Sequence, residues 1–349
     1  MIFIYIIALI LSFYILAKVV DKYFVDSLDK IAEKLNMSSD AAGATLMAVG
    51  SSAPELFVAI FAVMRPGDHA AIGIGNIVGS ALFNILAITG AAAIIKKATI
   101  AWQAVARDLF FYLIAILFLL YTLHDGVLNY LESALLIGTY LLYVIVVIYW
   151  KKIFKYSEDN DKKEEEVKEE RTEKTLFNKI MSPVDFVINL IFPNKKHFTI
   201  IFFISIIIIA GISWVLVESA IEIAHFLNIS EAIIAVTILA VGTSIPDLIS
   251  SVIVSKQGRG GMAISNAVGS NIFDILVGLG LPFLIVIISL GGEANIDVGN
   301  IEISVYFLLA SVFIVFLLFI LNKWKVGKIF GSSLLLIYLT YVIWAILSL

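Results

Sequence analysis

The sequence predicts an all-α polytopic membrane protein, with ten transmembrane helices in two inverted five-helix repeats. Three observations lead to that expectation: a composition that no soluble fold could bury, a regular succession of apolar runs, and a polar motif that occurs twice. Of 349 residues, 61% are hydrophobic and 15% charged, and the mean hydropathy is +1.02. A soluble chain of this length cannot hide so much apolar surface. About 20 helical residues cross a bilayer core, and runs of that length recur from end to end.

The expected spans are 2–20, 40–63, 70–95, 103–122, 128–150, 198–217, 232–254, 261–288, 302–321 and 329–348. The first run has no basic leader and no small-residue cleavage site, so it reads as a retained span rather than a signal peptide. Breakers mark several boundaries: Arg65-Pro66-Gly67-Asp68, His124-Asp125-Gly126 and Gly291-Gly292-Glu293. Residues 1–150 form the first repeat, 151–197 a charged linker, and 198–349 the second repeat. The linker, with SEDNDKKEEEVKEERTEK at its centre, reads as a solvated connection, partly helical through Glu/Lys pairs. It lacks the spaced Asp/Asn-Gly pattern of a calcium loop.

The cations orient the spans. On alternate connections, all but one of the 24 Lys and Arg fall on one side, and the exception is Arg65. That tally includes Arg107, counted at the edge of span 4. The positive-inside rule makes the basic side cytoplasmic, which puts the linker inside and both termini outside. The expected location is the cell membrane, with lipid and inorganic cations as partners. Nucleic acid and an obligatory protein partner are not expected.

The repeat is visible in two blocks. ATLMAVGSSAPELFVAIFAVM (44–64) parallels VTILAVGTSIPDLISSVIVSK (236–256), and GNIVGSALFNIL (75–86) parallels SNAVGSNIFDIL (265–276). Gly50 pairs with Gly242, Pro54 with Pro246, Glu55 with Asp247, Ser80 with Ser270, and Asn84 with Asp274. Five spans per half is an odd number, so the second copy enters from the opposite side. Inverted repeats of this kind build alternating-access transporters with a midplane site, and a repeat alone also permits a channel.

The paired residues carry a chemistry. Proline donates no backbone hydrogen bond and clashes with the carbonyl four residues earlier, so Pro54 and Pro246 free the carbonyls of Gly50 and Gly242. Glycine is expected to loosen the same turn. Glu55 and Asp247 follow the prolines, and Ser51, Ser52, Thr243 and Ser244 add hydroxyls. Ser80 with Asn84, and Ser270 with Asp274, sit four residues apart on one helix face. A mid-membrane carboxylate costs roughly 2.5–3.5 kcal/mol on insertion scales, and no Lys, Arg or His within spans 40–63, 70–95, 232–254 and 261–288 balances it. A mobile cation or a proton remains. An all-oxygen set suits Ca²⁺, which takes about 6–8 such ligands, better than Mg²⁺. Cysteine is absent, which removes thiol chemistry and disfavours Zn²⁺ and copper. Gly75 and Gly79 read as close helix packing. Glu218, Glu222, Glu293 and Asp297 read as acids in solvated outer connections.

The two motifs resemble the alpha-repeats of the cation/calcium exchanger superfamily. GATLMAVGSSAPELF (43–57), GTSIPDLISSVIV (242–254) and VGSNIFDI (268–275) are most similar to the potassium-dependent sodium/calcium exchangers. The resemblance places the ion-site segments at 43–64, 73–90, 235–256 and 262–280. It implies Glu55 and Asp247 as central ligands of Ca²⁺ and Na⁺. Ser51 and Thr243 would add side-chain and backbone oxygens, and Ala48 and Ala240 carbonyls. Ser52, Ser244, Ser80, Ser270, Asn84 and Asp274 would complete the cluster. It further implies Na⁺ entry against Ca²⁺ exit, K⁺ accompanying Ca²⁺, no cofactor and no enzymatic activity. Asp247 and Asp274 match the potassium-binding branch. The large calcium-sensor domains of animal sodium/calcium exchangers have no counterpart in 151–197. A proton/calcium exchanger is the runner-up, with a cation channel or a calcium-binding membrane sensor behind it. Spans 1 and 6, outside the motifs, are the expected moving elements.

Overall fold

The computed structural model describes residues 2–35, 37, 39–65, 69–124, 126–154, 176–193, 197–290, 294–295 and 301–347. The breakers at 66–68, 125 and 291–293, Glu293, Asp297 and the charged centre of the linker lie outside the described residues.

Among the described residues, nine helices are long and apolar enough to cross a membrane. They are spans 1 (Ile2–Leu28), 3 (Ala70–Ile95), 4 (Trp102–His124), 5 (Tyr130–Ile153), 6 (Phe198–Leu227), 7 (Glu231–Lys256), 8 (Gly260–Ser289), 9 (Ile301–Leu321) and 10 (Lys328–Leu347). Span 2 is the bent pair Gly43–Ser51 and Ala53–Met64, whose axes meet at 50°. All ten expected spans are present.

Spans 1 and 6 run well past their expected ends at 20 and 217. Hydropathy falls there, but packing continues. A π-helical turn at Val20–Val25 carries span 1 onward with Val20, Tyr23, Phe24 and Leu28 buried. Span 6 keeps Ala220, Ile221 and Ala224 buried and stops only at Asn228, whose φ of 54° is the left-handed C-terminal signal. Glu218 and Glu222 therefore belong to this helix and not to a solvated connection. Glu218 pairs with Arg65 at the end of span 2. Nearby, Glu231 at the start of span 7 is held by His69 at 2.9 Å and His225 at 3.3 Å.

Arg107 falls within span 4, as its count at that span's edge anticipates. It has 2% of its surface exposed, and its Nε donates to Asp108 at 2.7 Å. Tyr143 of span 5 and Ser265 of span 8 donate to the same carboxylate at 3.1 and 3.0 Å. A buried pair with this many partners is a structural clamp.

Spans 1 and 6 pack on each other and on the faces of spans 2, 3 and 7, forming an apolar cluster of their own. The larger cluster joins spans 3, 4, 5, 8, 9 and 10. Among the described residues, four two-residue strands tie the connections: β1 (Ala98–Thr99), β2 (Val127–Leu128), β3 (Ala294–Asn295) and β4 (Lys325–Val326). β1 pairs antiparallel with β4, and β2 with β3. The inverted repeat exchanges these two pairs. Connections 3/4 and 9/10 therefore share one side, and 4/5 and 8/9 the other.

The interspan segment holds a further helix, Leu176–Ile191, where a solvated linker was expected. Val184, Ile188 and Phe192 form a helical stripe that packs against the cluster of spans 1 and 6, and burial of that stripe fixes the helix.

Candidate cation site

The two repeats break at the same place. The residue before each proline-bearing helix leaves helical geometry: Ser52 has φ −91°, ψ 4°, and Ser244 φ −84°, ψ 4°. The prolines then sit in the first turn of the following helix, where a missing N–H costs nothing. Upstream, each repeat carries a five-residue π turn, Gly43–Met47 and Ala235–Leu239. Glu55 and Asp247 thus emerge beside a helix N-terminus, where amide dipoles favour negative charge.

Gly50 and Gly242 serve packing more directly than flexibility. A Cβ on Gly50 would lie 2.1 Å from Leu28, and one on Gly242 2.1 Å from the Phe13 ring. Both glycines seat span 1 against the breaks. Close packing also explains Gly75 and Gly79, as expected: a Cβ on Gly79 would lie 2.3 Å from the Val236 carbonyl. Its repeat partner Gly269 meets the Ala44 carbonyl at 2.6 Å in the same test.

These approaches bring the halves together. All twelve residues singled out from the sequence are 0% exposed: Ala48, Ser51, Ser52, Glu55, Ser80, Asn84, Ala240, Thr243, Ser244, Asp247, Ser270 and Asp274. The two central carboxylates are held across the repeat boundary. Glu55 Oε1 accepts from Ser244 of the other half at 3.0 Å and from Ser80 at 3.4 Å. Asp247 accepts from Asn84 of the other half at 3.0 Å and from Ser270 at 2.9 Å. Ser51 and Thr243 bond back to their own helices, at Met47 and Leu239. The Ala240 carbonyl lies 3.4 Å from the Ser80 hydroxyl.

Much of this oxygen is left over. Glu55 Oε2, Ser52 Oγ, Asn84 Oδ1 and both Asp274 oxygens are buried without a hydrogen-bond partner. Buried polar atoms are normally satisfied, so a cluster of orphaned acceptors marks a place for a donor or a cation. Asp274 lies beside Ser52 and within electrostatic reach of Glu55 and Asp247. Among the described residues, however, no three carboxylate or imidazole groups converge on one metal position. The arrangement is not a carboxylate cage, and a bound cation would draw most of its ligands from hydroxyl, amide and backbone oxygens.

Four polar neighbours escaped the sequence reading. Asn76 accepts from Thr243 at 3.2 Å, Asn266 donates to Ser251 at 3.1 Å, and Asn271 donates to the Ala81 carbonyl at 2.9 Å. Ser213 of span 6 donates to the Pro54 carbonyl at 3.4 Å. Asn76 and Asn266 occupy equivalent positions in GNIVGS and SNAVGS, a signal that was available. Ser213 has none, because its role depends on where span 6 lies.

Two inverted membrane repeats that meet at a cluster of buried oxygens are the construction of many secondary transporters. More particularly, the chain belongs to the sodium/calcium exchanger protein family, whose profile matches residues 5–149 and 197–347. Human sodium/potassium/calcium exchanger 5 is 30% identical over 97% of this chain and 82% of its own length. Mouse sodium/potassium/calcium exchanger 4 is 26% identical over 96% of this chain and 79% of its own. The sodium-calcium exchanger NCX_Mj, in a structure soaked with Na⁺ and Sr²⁺, superposes with a TM-score of 0.63 over both full chains at 25% identity. The chain is a multi-pass membrane exchanger and not an enzyme.

Proposed function

We propose that this chain exchanges Na⁺ for Ca²⁺ by alternating access at the Glu55–Asp247 site, with K⁺ carried alongside Ca²⁺. The observation that carries the reading is the cross-half holding of both carboxylates, amid buried oxygens without a hydrogen-bond partner among the described residues. Each half supplies ligands to the other half's acid, so separating the halves dismantles the site. Na⁺ and Ca²⁺ use overlapping ligands and compete, and competition enforces exchange. The proposed ligands are Glu55, Asp247, Asp274, Asn84, Ser51, Ser52, Thr243, Ser244, Ser80 and Ser270, with the Ala48 and Ala240 carbonyls.

Potassium coupling draws support from the third acid, Asp274, and from the likeness to sodium/potassium/calcium exchangers. For sidedness, we assign the basic connections to the cytoplasm, which puts both termini outside the cell membrane. The pairing of β1 with β4 agrees with that alternation. Spans 1 and 6 are the moving layer, since they form a cluster apart from the main core.

The test uses vesicles loaded with Na⁺. Uptake of radiolabelled Ca²⁺ is expected only while the outward Na⁺ gradient lasts. Uptake indifferent to that gradient defeats the reading, and uptake driven by a proton gradient replaces it with proton/calcium exchange.

A further inference from the structure

The helix Leu176–Ile191 has two apolar sides, and among the described residues protein covers only one of them. Toward span 1 it presents Val184, Asp185, Ile188, Asn189 and then Phe192. Tyr14 donates to Asp185 at 2.8 Å, Lys22 and Tyr23 donate to Asn189 at 2.8 and 2.6 Å, and Tyr23 stacks on Phe192 at 3.7 Å. Successive turns of the helix thus meet successive turns of span 1. The contact begins at Tyr14, inside the apolar run of that span. The helix therefore runs alongside a membrane-embedded stretch and does not hang in water.

Its opposite side is a second stripe at helical spacing: Phe186, Val187, Leu190 and Ile191. Phe186 is 68% and Leu190 76% exposed. An uncovered aromatic and aliphatic stripe of this kind needs an apolar occupant. The linker residues 155–175 cannot supply one, since that stretch is almost wholly charged and polar. The flanking charge points to lipid: Lys18 and Lys22 of span 1 border the helix at Asp185 and Asn189, and in sequence Lys179, Lys195 and Lys196 lie within it or just after it. Basic residues flanking an apolar helix suit acyl chains topped by anionic headgroups. Exposed Ile200, Phe203 and Ile207 of span 6 continue an apolar surface just beyond the short connection.

We infer that Leu176–Ile191 is embedded in the leaflet on the basic side of the membrane. Phe186, Val187, Leu190 and Ile191 contact lipid, while Asp185 and Asn189 clamp span 1. Naming that leaflet cytoplasmic rests on the sidedness proposed above; the lipid contact itself does not.

Because the chain has no cysteine, single cysteines carry a fluorophore at one place only. Phe186→Cys and Leu190→Cys would be labelled in the full chain. Ile200→Cys serves as the lipid-facing reference and Glu165→Cys as the aqueous one. Each is reconstituted in phosphatidylcholine–phosphatidylglycerol vesicles with or without brominated acyl chains. Labels at 186 and 190 are expected to be quenched by bromine as strongly as at 200, and several-fold more than at 165. Quenching of 186 and 190 by aqueous iodide, at the level seen at 165, would overturn the inference. So would bromine quenching that emerges only on dilution to one chain per vesicle, which would assign the stripe to a second copy. The readout needs no transport, so its failure and failure of the exchange reading are separable.

Discussion

Glu55 and Asp247 are held by neutral donors, two each, and by no cation among the described residues. Their amide counterparts can keep these bonds. A glutamine at 55 still accepts from Ser244 and Ser80, and an asparagine at 247 still accepts from Asn84 while Ser270 turns its hydroxyl to accept. Glu55→Gln and Asp247→Asn should therefore fold, with cation-free unfolding no lower than the parent's, because each removes a buried charge. What they should lose is the cation. A ligand at a hundred times its Kd stabilises by about 2.7 kcal/mol, so Ca²⁺ should raise the parent's melting temperature in detergent and leave both variants unmoved. A full Ca²⁺ shift in either variant would place the ion elsewhere. Ser270→Ala is the graded case. It removes one hydrogen bond to a charged group, a loss of about 1.5–3 kcal/mol, so the Ca²⁺ concentration for half-maximal uptake should rise at least about tenfold. An unchanged half-maximal concentration would exclude Ser270 from the site.

At the scale of elements, the sequence disclosed the breaks because proline and acid are unusual inside a span, and their duplication removed chance. It disclosed less of the backbone around them. The π turns at Gly43–Met47 and Ala235–Leu239 have no residue signature, since they answer to the neighbouring helix and not to local preference. The same limit hid the true ends of spans 1 and 6 and the helix at Leu176–Ile191, where burial against another element overrode the fall in hydropathy. It also hid the reason for Gly50 and Gly242, which lies in Leu28 and Phe13 of a distant segment. Glycines can now be sorted by what surrounds them. Gly79→Val pushes a side chain against the Val236 carbonyl and the Ala240 Cβ, and overpacking of this sort costs about 1–3 kcal/mol. Gly211 in span 6 has nothing within 4 Å of its missing Cβ, so Gly211→Ala should raise stability, by up to about 1 kcal/mol from helix propensity. Thermal unfolding of the two variants should move in opposite directions, and a shared sign would show that the span 3–span 7 approach is looser than described.

For the whole molecule, the decisive quantity is the charge enclosed between the halves. Glu55, Asp247 and Asp274 are all fully buried, and no Lys or Arg lies within the apolar stretches 40–63, 70–95, 232–254 and 261–288 that carry the motifs. Ionised together they carry three negative charges in a low-dielectric enclosure, where an unbalanced charge is costly. Ca²⁺ leaves one charge over, and a monovalent cation closes the balance. Asp274 is where that second ion should act, since both its oxygens lack partners whereas Asp247 accepts from two neighbours. Removing K⁺ should therefore slow Na⁺-driven Ca²⁺ uptake in the parent. Asp274→Asn should retain Ca²⁺ uptake while losing its response to K⁺, because two carboxylates are balanced by Ca²⁺ alone. Uptake by both proteins, measured in the same vesicles with K⁺ or with an impermeant substitute, separates the outcomes. A parent indifferent to K⁺ removes the coupling from this chain. A variant that still requires K⁺ moves the monovalent ion away from Asp274, toward the Asp247 side of the cavity. Only the expected pair of results ties potassium dependence to the asymmetry between the repeats, where Asn84 stands in one half and Asp274 in the other.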